Sequence, residues 1–329
     1  MKRLIFAAML PLTLLGLTLL VHQAQAQPYP NRPIQWIIPN VPGSIMDINS
    51  RILSEDLGKI LGTQIIPMNK PGAATTLGTD ALAKSKKDGY TIGYASNAIV
   101  YARILNPETM HFDPEKDIEP LGLHLLVPLA IAVRADAPWK TFNELLDYAK
   151  KNPGKLRVDT IGIGSPAHFN LEIIQSLTGA QFTHVPFKGG EAVITALLGG
   201  HLEMTYDAVN KIYPHVESGK LRILLLTYKM PDFPNVPTIT DLGYKQDLVS
   251  TWFAMYAPSG LPEEVKKVLV PAVEKAIKNP ESKAKIEKMK FIVDYKSPAE
   301  MKRRVAEEYE RAIQIADKVG LRKKDEGGK

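Results

Sequence analysis

Residues 33–61 read PIQWIIPNVPGSIMDINSRILSEDLGKIL. An apolar β-type run, Ile34–Ile38, gives way to Pro39, Pro42 and Gly43. Ser44 and Asp47 then stand three apart, the spacing of a capping box, ahead of apolar residues three and four apart. The stretch is therefore a strand, a tight turn and a capped helix. Two readings of the turn stand side by side. Ordinary helix punctuation accounts for it, and so does an anion site, because the first N–H groups of a helix lack internal partners and carry partial positive charge.

The same alternation continues outward from this unit. TQIIPM, TIGYAS, PLAIAV, LRVDTIG, FTHVPF, LEMTYD and LRILLLTY read as strands, while FNELLDYAKK, FNLEIIQSLTG and EAVITALLGG carry helical spacing. Short apolar runs alternating with amphipathic stretches predict an α/β protein with parallel strands. From Pro262 onward the chain reads as helical almost throughout. No fixed-period repeat is present.

Composition narrows the class of function. Lys2 and Arg3 precede an apolar run ending in small residues at Ala24 and Ala26, which predicts a signal peptide over 1–26, cleaved near Ala26, and a periplasmic product. The chain has no cysteine, so disulfides, thiolate chemistry and lipid attachment through cysteine are excluded. The net charge of +6 over 329 residues is mild and dispersed, which argues against nucleic acid as a partner. His111, His124, His184, His201 and His215 lack metal-site spacing, so no metal and no cofactor are expected. The segment GIGSPA lacks the last glycine of a nucleophile elbow, and KPGAATTLG is a small-residue turn rather than a phosphate loop. Binding is well represented and catalysis poorly.

Four strand-to-helix junctions share one chemistry: NVPGSIMD, YASNA, IGIGSPAHF and VPFKGGEAV. In open α/β sheets such junctions gather at the carboxyl ends of the strands, where ligands bind. Taken singly, each has a structural reading as well. Ser44 and Ser165 are helix caps, Pro166 fits the first helical position, His168 is a first-turn hydrogen-bond partner, Asp207 serves loop amides, and Lys188 is an exposed loop cation.

Landmarks along the chain resemble the periplasmic solute-binding proteins of tripartite tricarboxylate transporters, the Bug or TctC-type receptors. They include YPNRPIQWIIPNVPGSIMD, NKPGAATTLGTDALAKSKKDGYTIGYAS, FDPEKDIEPLG, NPGKLRVDTIGIGSPAHF, HVPFKGGEAVITALLGGHLEMTYD and STWFAMYAPSGLP. The resemblance implies a two-lobed periplasmic-binding-protein clamshell of type II character, each lobe an open sheet flanked by helices. Lobe 1 would comprise 27–124 and 250–329, and lobe 2 would comprise 125–249, with crossings near 121–127 and 246–251. It also implies a monomer that captures a small carboxylate in the interlobe cleft and hands it to the membrane subunits of a tripartite tricarboxylate-type transporter. Carried onto this chain, the ligand-binding residues are Val41, Gly43, Ser44, Ile45, Met46, Asp47, Asn97, Gly164, Ser165, Ala167, His168, Phe187, Gly189 and Asp207.

Ile45 and Met46 stand where the family has small or hydroxylated residues, and Pro166 where it has a further hydroxyl. This favours a mono- or dicarboxylate with an apolar or aromatic body over citrate, provided that Ile45 and Met46 face the cleft rather than the core. Two other classes remain at this point: a receptor of the same fold that signals to a sensor kinase, and an exported esterase using Ser165 and His168.

Overall fold

The computed structural model describes residues 28–160, 165–187, 190–318 and 320–322. The expected signal peptide, Gly164 and Gly189 lie outside them.

The opening stretch folds as its periodicity dictates. Strand β1 (Ile34–Ile38) is buried at four of five positions, and helix α1 (Ile45–Leu61) is capped by Ser44 and closed by Gly62 in the left-handed conformation. The units that follow are β2 (Ile65–Asn69), α2 (Thr76–Ala83), β3 (Thr91–Ser96) and α3 (Ala98–Leu105). Next come β4 (Ile118–Val127), β5 (Leu129–Arg134), α4 (Phe142–Lys151), β6 (Arg157–Thr160) and α5 (Pro166–Thr178). The remainder is β7 (Thr183–Pro186), α6 (Gly190–Leu198), β8 (Met204–Ala208), α7 (Val209–Glu217), β9 (Leu221–Leu226), β10 (Thr251–Pro258), α8 (Glu263–Ile277), α9 (Pro280–Lys288), β11 (Ile292–Lys296) and α10 (Pro298–Lys318).

Two sheets result, ordered β11-β4-β10-β3-β1-β2 and β7-β6-β8-β5-β9. They are mixed rather than parallel. β10 runs antiparallel to β3 and β4, and β5 antiparallel to β8 and β9. The reason is connectivity. β4 leaves the first sheet at its carboxyl edge and continues into β5, so β5 enters the second sheet from that edge and must run against its parallel neighbours. β10 does the same on the return. A second departure lies in the C-terminal part, where β11 interrupts the expected helices and pairs with β4.

The division expected at 124/125 falls inside β4, which pairs with β10 from Ile118 through Val127. The first sheet therefore keeps the chain to Val127 and takes it back at Thr251. Both crossings are bound to each other: the Thr227 amide donates to the Leu129 carbonyl, and the Thr227 hydroxyl bonds the Leu129 amide and the Ser250 hydroxyl at 2.8–2.9 Å. Buried Asn170 of α5 clasps the backbone of Val249 through both its amide atoms, at 2.7 and 2.8 Å. Glu308 of α10, buried itself, accepts from Asn97, Tyr101 and Trp252. That carboxylate ties α3, β10 and α10 together.

Candidate functional site

The four junctions follow β1, β3, β6 and β7, and Asp207 lies at the end of β8, so the expected residues gather at the carboxyl ends of strands in both sheets. The first is a closed hydrogen-bond circuit around Asp47. Its carboxylate accepts from the Gly43 amide at 2.9 Å, Arg51 Nε at 3.0 Å and Asn69 Nδ2 at 3.0 Å, and Asn69 also donates to the Asn40 carbonyl. Burial pushes the Asp47 carboxyl upward, but the bonds from Arg51, Gly43 and Asn69 outweigh it and hold the group below the usual carboxylate range. Within the first turn of α1 the Asp47 amide is taken by the Ser44 hydroxyl, and the Ile48 amide by the Ser44 carbonyl. The amides of Ile45 and Met46 precede any intrahelical acceptor, so they are the donors this helix end can offer an anion.

The side chains of this loop do not all face one way. Val41 is 52% exposed and Ile45 is half-buried against the core, while Met46 is 1% exposed and packs inside it. Of the two placements left open for Met46, cleft or core, it takes the core, so its place among the ligand-binding residues is corrected. Adjacent helical residues point about 100° apart, and Met46 shares its face with Leu53 and Leu57, which are buried. Gly43, at φ +76°, has open space where a Cβ would stand.

Asn97 is corrected as well. It is 1% exposed, and its amide nitrogen is spent on the Ser250 carbonyl and Glu308, so it anchors the returning crossing rather than facing a ligand.

In the second lobe Ser165 caps α5 as Ser44 caps α1, accepting from the His168 amide at 3.2 Å. Ala167 is buried. The His168 ring is buried too, stacked on His184 with centroids 4.3 Å apart, and its Nε2 lies 3.8 Å from Glu172. Burial, with the neighbouring His184 adding to it, lowers His168 to about 4. At neutral pH it is thus a neutral hydrogen-bonding ring. Phe187 donates its amide to the Thr160 carbonyl and rests partly buried against the core. Asp207 is buried at the end of β8, where it accepts from the Ala208 amide and from Lys211 Nζ at 3.1 Å.

One residue of this wall went unnoticed in the sequence. Asp159 of β6 is fully buried, and neither of its carboxylate oxygens makes a hydrogen bond of good geometry; the Thr205 hydroxyl of β8 is close enough only to favour the charged form weakly. Burial first, and the charge of Asp207 in addition, raise it to about 7. The sign that could have found it is an Asp inside the buried run LRVDTIG, where a lone charge needs an account. Among the described residues no group of three or more His, Asp or Glu could hold a metal.

Residues 49–321 match the family described as the tripartite tricarboxylate transporter family receptor. The chain belongs to that family. A relative from Cupriavidus necator, a UPF0065 protein in the gbd 5' region, is 34% identical over 313 residues, covering 94% of each chain. A solved TctC solute-binding protein from Polaromonas superposes with a TM-score of 0.79 at 28% identity, over 88% of this chain and 99% of that one. Among other receptor-like structures, an R. palustris protein solved with adipate gives 0.73 at 26% identity, over 89% and 98% of the two chains. MatC of Rhodopseudomonas palustris with bound malate gives 0.69 at 25%, over 87% and 99%.

Among the described residues of this family member, no helix is long and apolar enough to cross a membrane. The Ser165 hydroxyl, bonded to a backbone amide, is built as a helix cap.

Proposed function

We propose that this receptor captures a small mono- or dicarboxylate between its lobes in the periplasm and delivers it to a tripartite tricarboxylate-type membrane transporter. The observation that carries the reading is the α1 terminus: its loop is fixed by Asp47, and its two leading amides have no acceptor inside the helix. A carboxylate on those amides gains from the helix dipole without an opposing cation. On the second-lobe side, His168 and Asp159 are held in their neutral forms near pH 6, which spares an incoming anion a negative neighbour at Asp159. The neighbours solved with adipate and malate support the ligand class. With Met46 in the core, the exposed apolar side chains of the loop are those of Val41 and Pro42, so an apolar ligand body would rest there.

Closure of the lobes would let amides from both sides reach one carboxylate, and the ligand would shift an open–closed equilibrium by its differential affinity. The test is a melting screen of adipate, malate, citrate and benzoate on the mature protein, followed by small-angle scattering with the best of them. At a free concentration 100 times the dissociation constant, stabilisation of about 2.7 kcal/mol is expected, with a smaller radius of gyration. An unchanged radius with a bound ligand would remove the closing mechanism. Binding none of the four would count against the carboxylate reading.

A further inference from the structure

A cavity of 730 Å³ opens between α10 and the connection from β9 to β10, and none of the strand-to-helix loops described above contributes to its wall. One wall is a single face of α10: Glu300, Arg303, Arg304, Glu307, Glu308 and Arg311 recur at helical spacing. The other is the connection itself, from Thr227 to Lys229 and from Asp247 to Ser250, with the hydroxyls of Thr238 and Thr240.

Charge accounting separates two of these residues from the rest. Glu300 accepts from the amide and hydroxyl of Ser297, Glu307 faces Arg303 at 3.8 Å, and Glu308 holds its three donors. Lys229 pairs with Asp241 and Lys296 with Asp294, each at 2.8 Å. Asp247 is exposed. Arg311 forms no ion pair among the described residues, and its Nε reaches only the Glu307 carbonyl at 3.4 Å. Arg304 forms no ion pair either, and its Nε is buried with no hydrogen-bond partner. A buried donor of this kind ordinarily finds an acceptor, and an anion oxygen would supply one.

We propose that this cavity is a second binding site, which takes an elongated oxyanion with an acid group at each end, held between Arg304 and Arg311. The two residues are seven apart on one helix, so their backbones are separated by roughly 10 Å at 1.5 Å per residue. Each guanidinium presents a fork that matches a carboxylate or a phosphate. A compact ion satisfies one fork, whereas a two-ended molecule satisfies both. Leu126, Val249 and Ser250 in the wall belong to the two crossings, so an occupant touches the chain where the lobes join.

Isothermal titration of the mature protein at low salt tests this with two pairs of molecules: pyrophosphate against inorganic phosphate, and glutarate against butyrate. The two-ended member of at least one pair binds at least tenfold more tightly than its one-ended counterpart, and which pair does so separates a phosphate ligand from a carboxylate. Arg311 is exposed, so R311Q keeps the fold, and it removes that preference. R304Q does the same, with R304K restoring part of the affinity. The site is overturned if the wild type binds neither pyrophosphate nor glutarate, or if what it binds survives R311Q unchanged.

Discussion

The loop after β1 and the wall built on β6 and β8 solve opposite problems. In the first, a buried carboxylate is surrounded: Asp47 takes bonds from Gly43, Arg51 and Asn69 and stays ionised. In the second, Asp159 is buried with no hydrogen bond of good geometry, Thr205 offsetting its burial only weakly, and is pushed toward its neutral form. One carboxyl fixes a backbone loop, and the other removes a negative charge from the wall beside it. The lesson is that burial alone does not set the charge of a group. The donors around it do.

The largest test of that contrast is Asp159→Asn. Its folded pKa lies near 7, above the unfolded value near 4, so the stability linked to the protonated form is complete below pH 4 and is lost as pH rises through 7. Asn cannot ionise. The variant is therefore expected to match the wild type at pH 4 and to exceed it by up to roughly 4 kcal/mol at pH 8, at 1.36 kcal/mol per unit of separation. Denaturant melts across that range check it, and equal stabilities at pH 8 would break the contrast.

Asp47→Ala should move the opposite way. Losing three bonds to a charged acceptor while stranding their donors is expected to cost about 2–3 kcal/mol at pH 7. Because the folded pKa of Asp47 is lowered, that stability is present above the unfolded value and is lost as pH falls through the folded one. The gap between variant and wild type should then narrow with acid, where that for Asp159→Asn widens with base. A pH-independent penalty would mean that the charge of Asp47 does not matter.

Much of the architecture was legible because strand and helix leave different periods in a sequence, as Ile34–Ile38 and Ile45–Leu61 do. What escaped depended on neighbours. β11 is five half-buried residues between two helices, and nothing local says that β4 needs an edge partner there. The antiparallel direction of β5 and β10 follows from the crossings, which no window of residues contains. At the site, the caps Ser44 and Ser165 were readable from spacing, since capping is local. Asn97 was misjudged because its partners, Ser250 and Glu308, lie 153 and 211 residues away. The core placement of Met46, left open between cleft and core, was readable from its stripe with Leu53 and Leu57.

Gly43 sharpens the comparison at the next scale down. A Cβ there would meet nothing within 4 Å, yet its φ of +76° is left-handed. Gly43→Val should thus lose about 1–2 kcal/mol from backbone strain alone. Gly43→Asn, which tolerates that conformation, should lose much less. Comparing carboxylate affinity in the two variants separates strain from obstruction. If Asn is as damaging as Val to stability, φ is not the constraint.

The smallest effects bear on the amides themselves. Ser44 and Ser165 hold nearly the same conformation, φ −67° with ψ 161° and φ −71° with ψ 159°, and each accepts from the amide three residues on at 3.2 Å. Replacing either with Ala should cost about 1 kcal/mol of stability, the usual worth of such a cap, and the two losses should agree within about 0.5 kcal/mol. Each substitution also frees one amide at a helix end, that of Asp47 or of His168. If carboxylates are held by amides, the freed donor offsets the lost hydroxyl, and affinity changes by less than the stability does. Titration of the ligand found in the melting screen into Ser44→Ala and Ser165→Ala measures this directly. Loss of binding in either variant, with the melting temperature only slightly lowered, would show that a hydroxyl contacts the ligand and that the amide mechanism is wrong for that lobe.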